Sequence, residues 1–451
     1  MHVAALLVGA SWAFGGGADW ARTLIAAWGS LGLLIMAGAL RNHTARGESF
    51  RQPLRWLIPF VGFNALVLLS CLNPSFSERV FAGQSMLAET GAAHPHLPST
   101  ARVATSLEHL WLFDAIYVSC FNLVLAIRRR RALRLLLLIA VGNALLLSIM
   151  GTFQKLGSEG LYFGLVAPPN ARFFATFVYG NHWAAYIVLL VAACIGLVFY
   201  SVQHATEEPF SGSPLAIGAI SILLMALTPL LAGSRAGTLL MTALLGAAIV
   251  QVLWRIRKRR RTAGESAAPP ILALASCVVV AIGAAGYLGR GALQERWQDT
   301  QGQWRAGIMG ERSKLYADTC HLAAQQPLFG WGLGSYDKIL QLLRPRPLEA
   351  NRQYEHSYVD AHSDWLQSLA EVGVVGTILL VLCVLWPLVS SRALRLAGPL
   401  PAYLLGGCGL IVLYAAVEFP FGNPAVVIAF WICFFGAIQY VRLSARARTG
   451  H

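Results

Sequence analysis

The chain has 451 residues, 56% of them hydrophobic and 12% charged, and a formal net charge of +14. A soluble domain carries about 25% charged residues, so a soluble globular protein is excluded, and repeated apolar runs of about twenty residues fit a polytopic membrane protein. The basic excess lies mostly in short clusters beside those runs, which makes lipid headgroups its partner and removes the argument for nucleic acid.

Twelve apolar spans are predicted, at about 3–16, 20–40, 55–72, 107–127, 132–150, 181–200, 214–232, 236–254, 270–289, 373–390, 400–417 and 424–441. The expected fold class is an all-α polytopic membrane protein of about 12 transmembrane helices with a large helical loop. The first span is short. It lacks the basic flank of a cleavable signal peptide and is followed at once by another apolar run.

Alternating the spans from a cytoplasmic N-terminus puts "RNHTARGESFRQPLR", "RRRRALR", the stretch 201–213, "RIRKRRR", "SRALR" and "RLSARARTGH" inside. Those segments hold 20 of the 35 Lys and Arg residues. This bias follows the positive-inside rule and leaves both termini cytoplasmic. Three regions result: helices one to nine in 1–289, a loop with its own helices in 290–372, and helices ten to twelve with a basic tail in 373–451.

Four segments share the outer face: 73–106, 151–181, the hairpin around Arg235, and the long loop. Inside connections are short, so chemistry is expected outside. A loop this long carries function or its own structure. "ERSKLYADTCHLAAQQP" reads as a helix closed by Pro327, "LFGWGLGSY" as a tight glycine-rich turn, and "HSDWLQSLAEVG" as a short helix with Ser363 as N-cap. The eight cysteines are scattered without metal-ligand spacing and read as apolar packing residues.

Arg235, in "PLLAGSRAGTLL", interrupts about forty apolar residues. A guanidinium stays charged and is costly near hydrocarbon unless it is paired. Its neighbours Gly233, Ser234, Ala236 and Gly237 let another backbone or a ligand come close. Anion binding is therefore expected, against the alternative of a snorkelling arginine. Arg312 and Lys314 lie on the loop helix, where basic residues usually form a solvated face, and Tyr316 follows one turn after Arg312. Arg172 lies in another outer loop.

His362 stands at a helix N-terminus, which favours the neutral imidazole able to accept a proton, with Asp360 and Asp364 near enough in sequence to orient the ring. His182, in "YGNHWAAY", reads as structural or substrate-lining. Asp114 and Glu418 lie near the outer ends of their spans, able to pair with the arginines. No metal-binding DxD motif occurs in an outer loop, and there is no Walker-A, GxSxG or HExxH sequence. A donor acting outside the cytoplasm is expected to arrive by membrane, already activated.

"LAGSRAGTLL", "ERSKLYADTCHLAAQQPLFGWGLGSY" and "AHSDWLQSLAEVGVVG" resemble, in order and spacing, the signature of the O-antigen ligase and O-antigen polymerase superfamily, and "RFFATFVYGNHWAAYIVLL" is similar to a fourth family segment. The resemblance implies a metal- and cofactor-independent glycosyltransferase of the GT-C type in a bacterial inner membrane, with its site facing the periplasm. The implied donor is an undecaprenyl-diphosphate-linked glycan. The implied acceptor is lipid A–core or a lipid-linked glycan, as in lipopolysaccharide biosynthesis. A protein O-oligosaccharyltransferase of the same superfamily, or a lipid or solute transporter, is the alternative.

Carried over, Arg235 and Arg312 hold the diphosphate and His362 is the general base. Arg172, His182, Lys314, Tyr316 and Asp364 are candidate substrate-binding residues. The chain departs from the family pattern at Ser363, where asparagine is frequent, at Tyr316, where tryptophan is, and at Gly180, where many relatives carry arginine.

Overall fold

The computed structural model describes residues 1–81, 84–157, 172–204, 214–264, 309–343, 359–396 and 398–449. The predicted ninth span, 270–289, lies outside the described residues. The other eleven each fall on a helix. In chain order these are α1 (His2–Trp12), α2 (Asp19–Ala45), α3 (Arg51–Arg55) with α4 (Ile58–Cys71), α5 (Val103–Ala126), α6 (Arg130–Gly157), α7 (Gly180–His204), α8 (Pro214–Ala226) with α9 (Thr228–Leu231), and α10 (Arg235–Ala263). After these come α11 (Met309–Gln325), α12 (Tyr336–Leu343), α13 (Asp364–Ser390), α14 (Ala393–Leu396), α15 (Pro399–Tyr414) and α16 (Pro424–Thr449). Eight of the described helices are long and apolar enough to cross a membrane, so the chain is a multi-pass membrane protein. The 11 residues of α1 rise only about 16 Å, roughly half the hydrocarbon thickness.

A helix that is apolar all round belongs in the centre of a bundle, and two fit. Every residue of α7 from Trp183 to Ile195 is buried, as is every residue of α16 from Ile428 to Val441. Elsewhere small residues set the packing, as expected where lipid removes the hydrophobic drive between helices. Parallel α2 and α5 close on Gly29 and Gly32. Ser119 Oγ donates to the Gly29 carbonyl at 2.9 Å, and Asn122 Nδ2 to that of Gly32 at 2.7 Å. A Cβ on Gly29 would strike Ala115, and one on Gly32 would strike Ser119. The seven described cysteines are all unpaired.

A second, smaller core caps one end of the bundle. It joins Phe76, Ala101, Leu315, Leu322, Tyr336, Ile339, Leu340, Ala361 and Ala370. Part of it is not helical: β1 (Phe76–Phe81) and β2 (Gln84–Glu89) pair antiparallel, Phe76 opposite Glu89 and Phe81 opposite Gln84. The architecture is helical as expected, apart from this one hairpin in the segment 73–106.

The glycine-rich turn between α11 and α12 locks this cap to α13. Gly330, Gly332 and Gly334 all have positive φ. Trp331 N donates to the Ala370 carbonyl and Gly332 N to that of Glu371, at 2.9 and 2.8 Å. Gly373 (φ 63°, ψ −171°) kinks α13 at that contact, so that Val374 N and Val375 N reach the carbonyls of Pro327 and Leu328. A side chain at Gly330 would collide with the backbone at Glu371, and one at Gly373 with that at Leu328. The predicted short helix of "HSDWLQSLAEVG" is thus the first part of the kinked α13.

Candidate functional site

Six described helices, α2, α5, α7, α10, α13 and α16, begin at the capped end of the bundle. Contacts between their first turns and the cap fix this arrangement, among them Gly16 with Ile25 and Pro424, Gly180 with Ala232, and Asp364 N with the Glu418 carbonyl. The positive ends of six helix dipoles favour anions here.

Glu418 stands at the centre, in the turn between α15 and α16. It is buried, and its carboxylate is divided between several partners. Oε1 accepts from Arg312 Nη2 at 2.8 Å. Oε2 accepts from Tyr179 OH at 3.3 Å and lies 3.6 Å from His362 Nδ1. That last distance is an electrostatic contact, longer than a hydrogen bond. Burial would raise the carboxyl's pKa, but His362 and Arg312 outweigh it and hold Glu418 below the usual glutamate value. Burial likewise opposes the charge on Arg312, and Glu418 more than restores it.

His362 carries φ +51°, a left-handed conformation uncommon for a residue with a Cβ and a frequent mark of functional strain. Three contacts sustain it. Tyr316 OH donates to the His362 carbonyl at 3.0 Å, the ring meets Phe419 edge-on at 5.0 Å, and Ser363 caps α13 by accepting from Leu366 N. Nδ1 is shielded from solvent and faces Glu418, and Nε2 has no protein hydrogen bond among the described residues.

Asp364 does not orient the ring: its Oδ2 accepts from Phe421 N at 2.9 Å, and Glu418 is the carboxylate that faces Nδ1. His182 is held by the Phe419 carbonyl at 3.1 Å and stacks edge-on against Phe419, a structural setting that lines the same cluster. Asp114 accepts from Asn64 at 2.9 Å instead of pairing with an arginine.

Arg235 is the first residue of α10. Gly233 at φ 74° closes α9, and Ser234 caps α10 by accepting from Gly237 N at 3.1 Å. The small residues serve another helix: a Cβ on Gly237 would hit Ala184 of α7. Ser234 Oγ is 3.3 Å from Tyr414 OH, and Tyr414 accepts at its carbonyl from Glu418 N, which ties the hairpin to the Glu418 turn. The Arg235 side chain is exposed and carries no hydrogen bond or ion pair among the described residues. Gly180 is wedged between the carbonyls of Arg172 and Ala232, so the segment bearing Arg172 lies beside the same hairpin, and a larger residue at 180 has no room. Lys314 is exposed, and two residues from Arg312 it points to the other side of α11; it does not join the cluster.

Residues 220–381 match a family model described as O-Antigen ligase. That region, about a third of the chain, is similar to O-antigen ligases. The matched span contains Arg235, Arg312, Lys314, Tyr316, His362 and Asp364, and the similarity supports a membrane glycan-transfer enzyme. Glu418, Tyr179, His182 and Arg172 lie outside the matched span and are brought to it by the fold. No curated protein matches the chain.

The sequence singled out Arg235, Arg312, His362 and Tyr316, which the fold draws to one end. It named Glu418 without a partner. It gave no role to Glu371, which is buried and accepts from Gly334 N at 2.9 Å, Gln367 at 3.2 Å and Tyr336 N at 3.4 Å, pinning the glycine-rich turn. It also passed over Tyr179, whose hydroxyl burial and then Glu418 keep protonated well beyond the usual tyrosine range.

Proposed function

We propose that the chain transfers a glycan from an undecaprenyl-diphosphate carrier to an acceptor hydroxyl, with inversion, at the periplasmic face of a bacterial inner membrane. The observation that carries this reading is the shared carboxylate of Glu418, which faces His362 Nδ1 on one side and grips Arg312 on the other. The carboxylate favours a proton on Nδ1 and so leaves Nε2 as the acceptor of one. The acceptor oxygen attacks the anomeric carbon, its proton passes to Nε2, and the bond from that carbon to the phosphate oxygen breaks. Undecaprenyl diphosphate departs with the electron pair.

Charge grows on the leaving phosphate in the transition state, where fixed guanidinium donors act most strongly. Arg312 spends one of its five N–H donors on Glu418 and is half exposed, so the others are free for phosphate oxygens. Arg235 presents its whole fork, and bidentate geometry suits phosphate. Arg172, beside the same hairpin, is the third cation. His182, Tyr316 and Asp364 shape the site around them. The basic clusters at the far end of the helices support a cytoplasmic orientation for that end.

The test is a purified assay in lipid nanodiscs with an undecaprenyl-diphosphate glycan and three acceptors offered separately: lipid A–core, a lipid-linked glycan and a Ser/Thr peptide. Transfer to one of them, with release of undecaprenyl diphosphate and loss in His362→Ala, is the expected result. No transfer to any acceptor by the wild-type protein overturns the reading.

A further inference from the structure

Arg22, in the second turn of α2, has no role in the arrangement above. The parallel packing of α2 on α5, with Gly29 against Ala115 and Gly32 against Ser119, places Arg22 two turns nearer the cap, level with His109. On its other side, Ile25 touches Gly16, which also meets Pro424 at the start of α16. His109 in turn abuts Gly334 of the glycine-rich turn. The Arg22 charge acts on His109, His182 and Asp360, three groups from α5, α7 and the segment leading into His362. His182 is influenced by Glu418 and His362 as well, so Arg22 lies within electrostatic reach of the cluster already described.

The guanidinium is only partly exposed, and its Nε is shielded from solvent with no hydrogen-bond partner. Among the described residues no carboxylate closes an ion pair with it. A half-buried cation with an orphaned N–H is expensive to maintain unless something supplies an acceptor. The other cation coupled to the cluster, Arg312, has Glu418.

We infer that Arg22 is a substrate contact, a second anion subsite that receives an oxyanion, phosphate or carboxylate, from one of the two substrates through Nε–H and the guanidinium fork. This deepens the glycan-transfer reading and rests on it. The oxyanion belongs either to the donor diphosphate or to an acidic group on the acceptor, and kinetics separate the two.

The full-length protein in nanodiscs is compared as wild type, Arg22→Gln and Arg22→Lys, with Arg235→Gln as a reference. KM for donor and for acceptor is measured separately, and binding of undecaprenyl diphosphate alone is titrated. Loss of one charge-assisted hydrogen bond predicts a rise of about 10- to 100-fold in one KM for Arg22→Gln, with kcat changed far less. Arg22→Lys is expected to recover only part of the loss, because an ammonium lacks the Nε–H. A rise in donor KM together with weaker undecaprenyl diphosphate binding identifies the donor; a rise in acceptor KM with unchanged diphosphate binding identifies the acceptor. If both variants keep wild-type KM values for both substrates while Arg235→Gln loses diphosphate binding, the Arg22 subsite is overturned and the catalytic reading stands. If the wild type binds no diphosphate lipid, the catalytic reading falls with it. Where Arg22→Gln melts early in detergent, Arg22→Lys decides alone, and wild-type KM values in it overturn the subsite.

Discussion

Glu418 Oε2 lies 3.6 Å from Nδ1 of His362, and the two residues reach that distance from different loops at the capped end of the bundle. A carboxylate on one imidazole nitrogen directs the proton-accepting role to the other. The same carboxylate also links Arg312 to His362, through its other oxygen.

Glu418→Gln keeps the shape of the side chain and removes its charge. With the base no longer oriented, transfer is expected to fall by about 100-fold or more, and His362→Ala by about 100- to 10000-fold. The two residues act as a unit, so the double variant should be little worse than His362→Ala alone. Initial rates in the purified assay check this. Losses that multiply would mean that Glu418 and His362 work independently.

Arg235→Ala removes a fixed donor to the leaving phosphate, and a loss of about 2.7–4 kcal/mol, or roughly 100- to 1000-fold in kcat, is expected. Arg235→Lys retains the charge but not the planar fork, and is expected to recover only a minor part. Wild-type kcat in Arg235→Lys would show that charge alone suffices there.

Gly332 has φ 105°, and a Cβ there would run into Thr100 Oγ1, itself fixed to Ser106. Gly332→Ala should therefore loosen the docking of the glycine-rich turn on the segment before α5, at a cost of about 1–3 kcal/mol. A lower melting temperature in detergent and faster proteolysis in the cap would report it. Gly91, with positive φ but open space around it, makes a useful comparison: Ala there meets backbone strain but no clash.

The helices were legible because hydrocarbon demands long apolar runs, and the Ser363 cap and the helix end before Pro327 were legible because capping chemistry is local. The conjunction of Arg235, Arg312 and His362 came from family resemblance, and the fold then drew their segments together. What pairs across the chain was not legible. Glu418 appears in the sequence as a lone acid after an apolar run, and nothing local says that it meets Arg312. Glu371 reads as the polar side of a short helix, yet the kink at Gly373 turns it inward to hold backbone N–H groups. Arg22 was not singled out in the sequence at all, and only the packed structure reveals its orphaned Nε. The hairpin β1–β2 did leave a signal, since "FSERVF" and "QSMLAE" flank a two-residue "AG". That signal is weak beside the surrounding helical spans.

The charge on Glu418 also makes stability depend on pH. Its carboxyl titrates below the ordinary glutamate value of 4.5, because His362 and Arg312 overcome the opposing effect of burial. The folded protein therefore holds this proton less tightly than the unfolded chain does. Its contribution to stability is complete above pH 4.5 and is lost as pH falls below that value, through the depressed folded pKa. Melting temperatures of the wild type and Glu418→Gln, measured in detergent from pH 7 down to about pH 3, should differ most at neutral pH. The gap should narrow only below pH 4.5. A gap that stayed constant across the range would mean that the carboxylate does not gain its partners on folding, and the picture of Glu418 as the shared anion of His362 and Arg312 would have to be abandoned.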